Sequence, residues 1–403
     1  MEIFLVVCAG LVVYTYVGYG MLVWLLVKIR GRRPALKTDA VFAPDVTLIV
    51  PAYNELSCLP DKVANSFAQH YPADKLHFLF VTEGSTDGSA DFLRSKYGNR
   101  IAIMEGTERR GKVAAMNRAM LQVKTPLAIF TDANTILNPE AVQNLVRHFR
   151  DPKVGAVAGE KRILTNDSES AAGSGEGLYW KYESFLKRLD SDLHTIVGAA
   201  GELFSVRTAL YEPVETDTIL DDFIISLRIA GQGYRVAYEP DAYAMERPSF
   251  SIVDEQKRKV RIAAGGFQSI VRLTYLLNIF RYGWLTFEYV SHRAMRWAVA
   301  PLCLPLIFLA NAWLAIRELG IAPSGQYGWT VLFILQCIFY AAAWVGYRLE
   351  KKNLRWKLLF VPFYFTFMNV CALAGLVRYL KGNQSGTWEK VRRAGEVERT
   401  YGL

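Results

Sequence analysis

Asp132 follows an apolar run, Leu127-Ala128-Ile129-Phe130, inside Thr131-Asp132-Ala133-Asn134-Thr135. A carboxylate at a strand end, one residue removed from a second side-chain oxygen, can hold a divalent cation in an α/β crevice. Arg110-Gly111-Lys112 opens a helical stretch containing Asn117. Lys112 could reach a diphosphate there, although a lone Gly-Lys pair also reads as a solvated lysine. Further on, Asp221 and Asp222 precede Ile224-Ile225-Ser226-Leu227. That placement puts Asp222 in the first turn of a helix, where the partial positive charge favours an anion. An ionised carboxylate so placed can take the proton of an attacking hydroxyl. A pair of capping carboxylates is the plainer alternative. Together these residues suit group transfer from a phosphorylated donor.

The elements that must position them alternate in type. From about Asp45 to Ser249, β-rich runs at 46–50, 76–81, 101–104, 127–131 and 154–158 are separated by helical patterns at 59–70, 89–97, 111–123 and 139–150. This predicts an α/β domain with a mostly parallel sheet covered on both faces. The first two strands end in Pro51-Ala52-Tyr53-Asn54-Glu55 and Glu83-Gly84-Ser85-Thr86-Asp87-Gly88. Both place polar groups and pliable backbone at the carboxyl edge of the sheet, where open α/β folds bind ligands.

Outside this stretch the chain reads as membrane protein. Ile3 to Val27 contains no formal charge across 25 positions, enough to span a bilayer, with no small-residue cleavage site after it. Lys28, Arg30, Arg32 and Arg33 follow and place the next segment in the cytoplasm. Gln256 to Arg261 is basic, and Phe267 to Trp297 mixes apolar residues with Arg272, Arg281, His292 and Arg293, a pattern for interfacial helices. Ala298–Ile316, Gly328–Tyr347 and Leu358–Leu380 are candidate spans. Basic residues flank the last on both sides, so a re-entrant or interfacial segment, with Pro362 and Asn369 permitting a break, is expected as an alternative. The expected division is 1–30 membrane helix, 45–250 catalytic domain, 251–297 interfacial helices, 298–380 membrane or re-entrant region, and 381–403 cytoplasmic tail. The net charge of +9 suits anionic lipid and anionic ligands. No basic stripe interleaved with aromatics marks the soluble part, which argues against nucleic acid. Four of the five cysteines lie in apolar spans, so neither a disulfide framework nor a zinc site is predicted.

In order, PAYNE, EGSTDGS, GKVAAMN, TDANT, the Gly198–Arg207 turn, LDD and RKVRIAAG resemble the family 2 glycosyltransferases. Within them the chain is most similar to the membrane-integrated hyaluronan, chitin and poly-N-acetylglucosamine synthases. The resemblance implies a GT-A nucleotide-diphospho-sugar transferase domain inserted between transmembrane and interfacial helices. It places Ala52, Tyr53 and Glu55 in the nucleotide pocket, with Glu83 facing uracil where relatives more often have Asp. Lys112 would sit near the donor phosphates, and Asp132 and Asn134 would take the family's metal motif for Mg2+ or Mn2+. Asp222 would be the catalytic base. Processive synthases typically carry Gln-x-x-Arg-Trp where this chain has Arg258-Lys259-Val260-Arg261-Ile262. Arg261 would clamp the diphosphate, Arg258 replaces the glutamine in the donor site, and Ile262 lacks the stacking face of the Trp. Tyr179 to Glu183 would line an acceptor path or simply pack. Trp388 and Arg392 resemble a segment that closes over the donor.

The expected function is inverting transfer from a UDP-sugar, UDP-N-acetylglucosamine among the candidates, to a surface polysaccharide or glycolipid at the inner membrane. Single transfer to polyprenyl phosphate or another lipid is an alternative. A non-catalytic nucleotide-binding membrane subunit is another. Membrane lipid is an expected partner, and a secretion or accessory subunit is allowed for.

Overall fold

The computed structural model describes residues 1–32, 42–164, 171–247, 251–320, 327–351 and 357–382. Eight strands form one sheet: Val46–Ala52 (β1), Leu76–Glu83 (β2), Ala102–Gly106 (β3), Leu127–Thr131 (β4), Ile136–Leu137 (β5), Val154–Ile163 (β6), Leu203–Arg207 (β7) and Arg235–Glu246 (β8). Their spatial order is β3-β2-β1-β4-β7-β6-β8-β5. The run β3-β2-β1-β4 is parallel, as is β6 with β8. β7 is antiparallel to both its neighbours, and β5 to β8. Because the chain steps outward from β1 to β3 and returns on the other side as β4, a crevice opens between the carboxyl ends of β1 and β4.

Helix Glu2–Arg30 (α1) precedes the sheet. Leu59–Phe67 (α2), Ser89–Tyr97 (α3), Lys112–Met120 (α4) and Ala141–Val146 (α5) connect the early strands. Ala171–Leu193 (α6) links β6 to β7, and Asp221–Gly231 (α7) links β7 to β8. Ile252–Arg272 (α8), Trp284–Gly320 (α9), Gly328–Glu350 (α10) and Lys357–Leu380 (α11) complete the described chain. Every residue of β1 is buried, as a strand covered on both faces requires. Leu48 and Val50 pack with Leu59, Val63, Leu93 and Leu145 on one face. Ile49 packs with Phe130, Met116, Ile224 and Leu227 on the other. The alternation therefore decides which helix each side chain meets.

Two strands escape the pattern in the sequence. β7 lies within the stretch expected to be a turn, and β8 contains Pro240 and Asp241. The pairing of β6 with β8 jumps from Ala158↔Tyr238 to Glu160↔Tyr243, so Pro240 sits in a bulge where no ladder hydrogen bond is required of it. Gly159 makes the bulge feasible, since a Cβ there would lie 2.6 Å from the Ala242 carbonyl oxygen.

Among the described residues four helices are long and apolar enough to cross a membrane: Glu2–Arg30, Trp284–Gly320, Gly328–Glu350 and Leu358–Leu380. The chain is a membrane protein. The stretch expected to be interfacial is divided differently from the expectation: its first residues finish α8, and Trp284 onward runs unbroken into the span that reaches Gly320. Two of the polar side chains that suggested an interface, His292 and Arg293, are paired inside the protein. His292 Nδ1 lies 2.5 Å from Asp190 Oδ2, and Arg293 and Arg296 contact Glu183 at 2.5 and 2.9 Å. Nor does α11 break at Pro362 or Asn369. Asn369 donates to Phe365 O and accepts from the Tyr16 hydroxyl at 2.7 Å, so α1 satisfies it. Gly375 lets α11 press on α8, where an added Cβ would come within 2.5 Å of Ala263 Cβ.

Asp190 also accepts from the Tyr19 hydroxyl of α1 at 2.6 Å, so one buried carboxylate joins α1, α6 and α9. Asp190→Ala strands both partners in a dry interior and should cost about 3 to 5 kcal/mol. The loss is read as a lowered unfolding midpoint of the detergent-solubilised chain, partly recovered by Asp190→Asn. An unchanged midpoint in Asp190→Ala would show the carboxylate to be dispensable.

Candidate active site

The loops after β1 and β2 are stitched together by their own short polar side chains. Asn54, in the left-handed region at φ 53°, donates its N–H to Ser85 Oγ and accepts from the Thr86 N–H with its Oδ1. Asp87 accepts from the Leu56 N–H at 2.9 Å and the Ser89 N–H at 3.0 Å. Gly84 is needed for closeness, since a Cβ would lie 2.6 Å from the Arg109 nitrogen. The Arg109 guanidinium in turn stacks 4.2 Å from the Tyr53 ring. A planar cation on an aromatic face makes a stiff floor for a flat ligand.

Strand β4 delivers Asp132 to the crevice, and the loop that follows is pinned from below. Lys62 of α2 is fully buried and donates to Thr131 Oγ1 and Thr135 O, both at 2.9 Å. Burial lowers the Lys62 ammonium to about 7, with Asp132 acting in the other direction. Thr135 Oγ1 also donates to the Asp132 carbonyl at 2.9 Å. Asp132 and Asn134 are thereby presented on a loop whose backbone is tied at both ends.

Lys112, at the start of α4, reaches Asp132 Oδ1 at 2.6 Å, Gly201 O at 3.3 Å and Asp221 Oδ2 at 3.9 Å. Asp222 closes the group, its Oδ2 3.3 Å from where a Gly201 Cβ would stand. The glycine is therefore room for a carboxylate. Burial works to lower the Lys112 ammonium, but Asp132 and Asp221 outweigh it and raise it. Burial pushes Asp222 up to about 7, aided by the Asp221 charge and opposed by Lys112. Asp132 is also raised by burial, against the pull of Lys112.

These groups open on a cavity of about 680 Å3. Tyr53, Glu55, Lys112, Asp132, Asn134, Asp222, Arg258 and Arg261 all line it, so residues far apart in sequence meet in one space. Ala52 and Glu83 are not in that lining. Ala52 is the core-packed last residue of β1, and Glu83 turns under Gly106 to pair with Arg118 at 2.9 Å. Burial raises the Glu83 carboxyl, against Arg118 and Arg110. Arg258 is held by Glu255 one turn earlier at 3.1 Å. Trp388 and Arg392 lie outside the described residues.

Several further residues line the cavity. Glu202 and Glu246 share the buried ammonium of Lys161, and Lys161 holds Glu202 down to about 2 against the upward push of burial. Glu202 follows the glycine turn at 198–201 and could have been flagged by it. Trp180 belongs to the Tyr179 to Glu183 run named in the sequence, whereas Trp297 and the membrane-helix residues Tyr16, Phe360, Tyr364 and Phe365 could not have been found there, because only packing brings them to the same space.

The donor set fits a hard divalent cation. Asp132 offers a carboxylate, and Asn134 Oδ1 is buried with no hydrogen-bond partner among the described residues. No cluster of three His, Cys, Asp or Glu able to hold a metal occurs among them. Two protein oxygens with the rest supplied by a diphosphate and water is a usual arrangement for Mg2+.

A sequence model of the family described as Glycosyltransferase like family 2 matches residues 44–263. Poly-beta-1,6-N-acetyl-D-glucosamine synthase of Staphylococcus aureus strain COL is 27% identical over 251 residues, 60% of this chain and 59% of the relative. The chain thus matches about three fifths of that relative's length. The synthase of the same name from Staphylococcus epidermidis strain ATCC 35984 is 25% identical over 409 residues, 96% of each. Mannosyltransferase PcManGT from Pyrobaculum calidifontis, solved in complex with GDP-Man and Mn2+, aligns with a TM-score of 0.72 at 23% identity. That alignment covers 94% of this chain and 100% of the other, and it shows the GT-A fold. With the family match extending over more than half of its residues, the chain belongs to the glycosyltransferase like family 2.

Proposed function

We propose that this enzyme inverts the anomeric centre of a nucleotide-activated sugar as it transfers that sugar to an acceptor hydroxyl held at the membrane. The observation that supports this best is the meeting of Asp132, Asp222 and Arg261 in one cavity with Lys112. In this reading the acceptor hydroxyl attacks the anomeric carbon from the side of Asp222, which accepts its proton. Lys112, Arg258 and Arg261 hold the diphosphate as its bond to the sugar breaks. Direct displacement forms the new glycosidic bond with inversion and leaves no sugar on the enzyme. A Mg2+ or Mn2+ ion held by Asp132 and Asn134 would supply further neutralisation of the leaving diphosphate. Tyr53, with Arg109 on its ring, would stack on the base.

The names of the Staphylococcus relatives support N-acetylglucosamine as the sugar, and hence UDP-N-acetylglucosamine as the donor to try first. The product would be a surface polysaccharide or glycolipid made at the cytoplasmic face of the inner membrane, in keeping with Lys28, Arg30 and Arg32 after α1. A second reading, one sugar added to polyprenyl phosphate or another lipid, is favoured by the apolar end of the cavity. There Phe360, Val361 and Tyr364 of α11 join Tyr16 of α1 in the lining.

Purified full-length chain with Mn2+ and a panel of radiolabelled nucleotide sugars should turn over one donor. A polymer retained at the gel origin supports the polysaccharide product, and one lipid-soluble species the second reading. Asp222→Asn should lower transfer by about 10² to 10⁴-fold with little change in donor affinity. Unaltered activity in that variant would remove Asp222 as the base, and no turnover of any donor would favour a regulatory nucleotide-binding subunit.

The pH profile follows from the same carboxylate. A base works ionised, and Asp222 ionises as pH rises through about 7. The acidic limb of kcat/KM should therefore have a midpoint near pH 7, with activity lost below it, and should vanish from the residual activity of Asp222→Asn. For the loop, Lys62→Met should weaken Mn2+ binding by about 10 to 100-fold in an electron-resonance titration. Unchanged Mn2+ affinity would mean that the loop holds its shape without Lys62.

A further inference from the structure

Ile262 leaves a gap in the chemistry, because a chain that extends sugars needs an apolar face for the acceptor ring near its base. The structure brings one from elsewhere in the chain. Ile262 and Trp297 line the same cavity as Asp222. Trp297 comes from α9 and lies against α8 one turn beyond Ile262, at Gly266. A Cβ on Gly266 would stand 2.5 Å from Trp297 Cδ2 and 2.7 Å from Cε3, so the indole reaches this position only because residue 266 has no side chain. Its ring centroid is 5.1 Å from that of Phe223, the residue after Asp222. Phe223 is buried whereas Trp297 is only partly so, and the indole therefore keeps surface toward the cavity.

Trp180, the other cavity tryptophan, is differently engaged. The ammonium groups of Lys161, Lys259 and Lys187 stand 5.3, 5.7 and 5.9 Å from its ring centre. Around Trp297 the nearby cation is Arg293, 6.0 Å from the ring and drawn aside by Glu183 at 2.5 Å and the Val197 carbonyl at 2.9 Å. A pyranose has one face made largely of C–H groups, and an indole offers both a wide apolar contact and an electron-rich face to them. Resting on the transferase reading above, we propose that Trp297 is the acceptor-sugar platform, replacing from α9 the aromatic that α8 lacks at Ile262. The acceptor it selects ends in a pyranose, whatever carries that sugar.

The test uses full-length protein in detergent and a short β-linked N-acetylglucosamine oligosaccharide as probe. Calorimetric titration with UDP and Mn2+ present requires no turnover, so it can succeed even if the transfer reaction fails. Binding should weaken about tenfold or more in Trp297→Leu and much less in Trp297→Phe. It should return when Ile262→Trp is added to Trp297→Leu, since both side chains face one space. Under turnover, the acceptor KM should rise more than kcat falls. Equal oligosaccharide binding by the unaltered chain and Trp297→Leu would overturn the proposal. So would no binding by the unaltered chain, or a loss in Trp297→Leu that Ile262→Trp does not reverse. Oligosaccharide binding that depends on Trp297 with no turnover of any nucleotide sugar would instead sink the transferase reading and leave this platform standing.

Discussion

Carboxylates crowded around the Lys112 ammonium in a buried crevice are the constraint on which the rest of this molecule turns. Asp132 touches it at 2.6 Å, Asp221 is 3.9 Å away, and Asp222 stands close by across Gly201. Like charges held this near in a poorly solvated space repel unless cations separate them or protons neutralise them. That one fact explains why burial and the neighbouring Asp221 raise Asp222 and why Lys112 remains charged. It also explains why the site suits a cation and an anionic diphosphate together.

The same logic ties the catalytic domain to the membrane. Glu183 receives Arg293 and Arg296, while Asp190 receives Tyr19 and His292, so α6 is the joint between the sheet and the spanning helices. Buried polar pairs of this sort specify one arrangement because any slip leaves groups without partners in a dry interior. The cavity inherits that rigidity. Its polar end is made of sheet and loop residues, its apolar end of α1 and α11, and α8 with Arg258 and Arg261 lies between.

Much of this was legible in the residues. The fully apolar runs of β1 and β4 could only be strands covered on both faces, and the polar groups at their carboxyl ends had to sit at one edge. The approximate limits of α2 to α4 followed from periodicity. β7 and β8 were not legible, because a short strand inside a glycine-rich stretch and a strand interrupted by Pro240 carry no clean period. The bulge opposite Gly159 that accommodates Pro240 is a property of two strands at once. The pairing of His292, Arg293 and Arg296 was hidden for a similar reason: their partners, Glu183 and Asp190, lie about a hundred residues earlier.

The sequence by itself determined the residue chemistry, the parallel core and the family, because local spacing and alternation dictate strands, helix starts and the ligands placed at their ends. It determined equally that long apolar helices flank the domain. Only the tertiary structure decided that Asp132, Asp222 and Arg261 share a cavity, that Glu83 is not in its lining, and that Trp297 packs against Gly266. Those outcomes depend on contacts between distant segments, where a side chain's environment is set by whichever helix packs across from it. No short-range pattern in the chain encodes that.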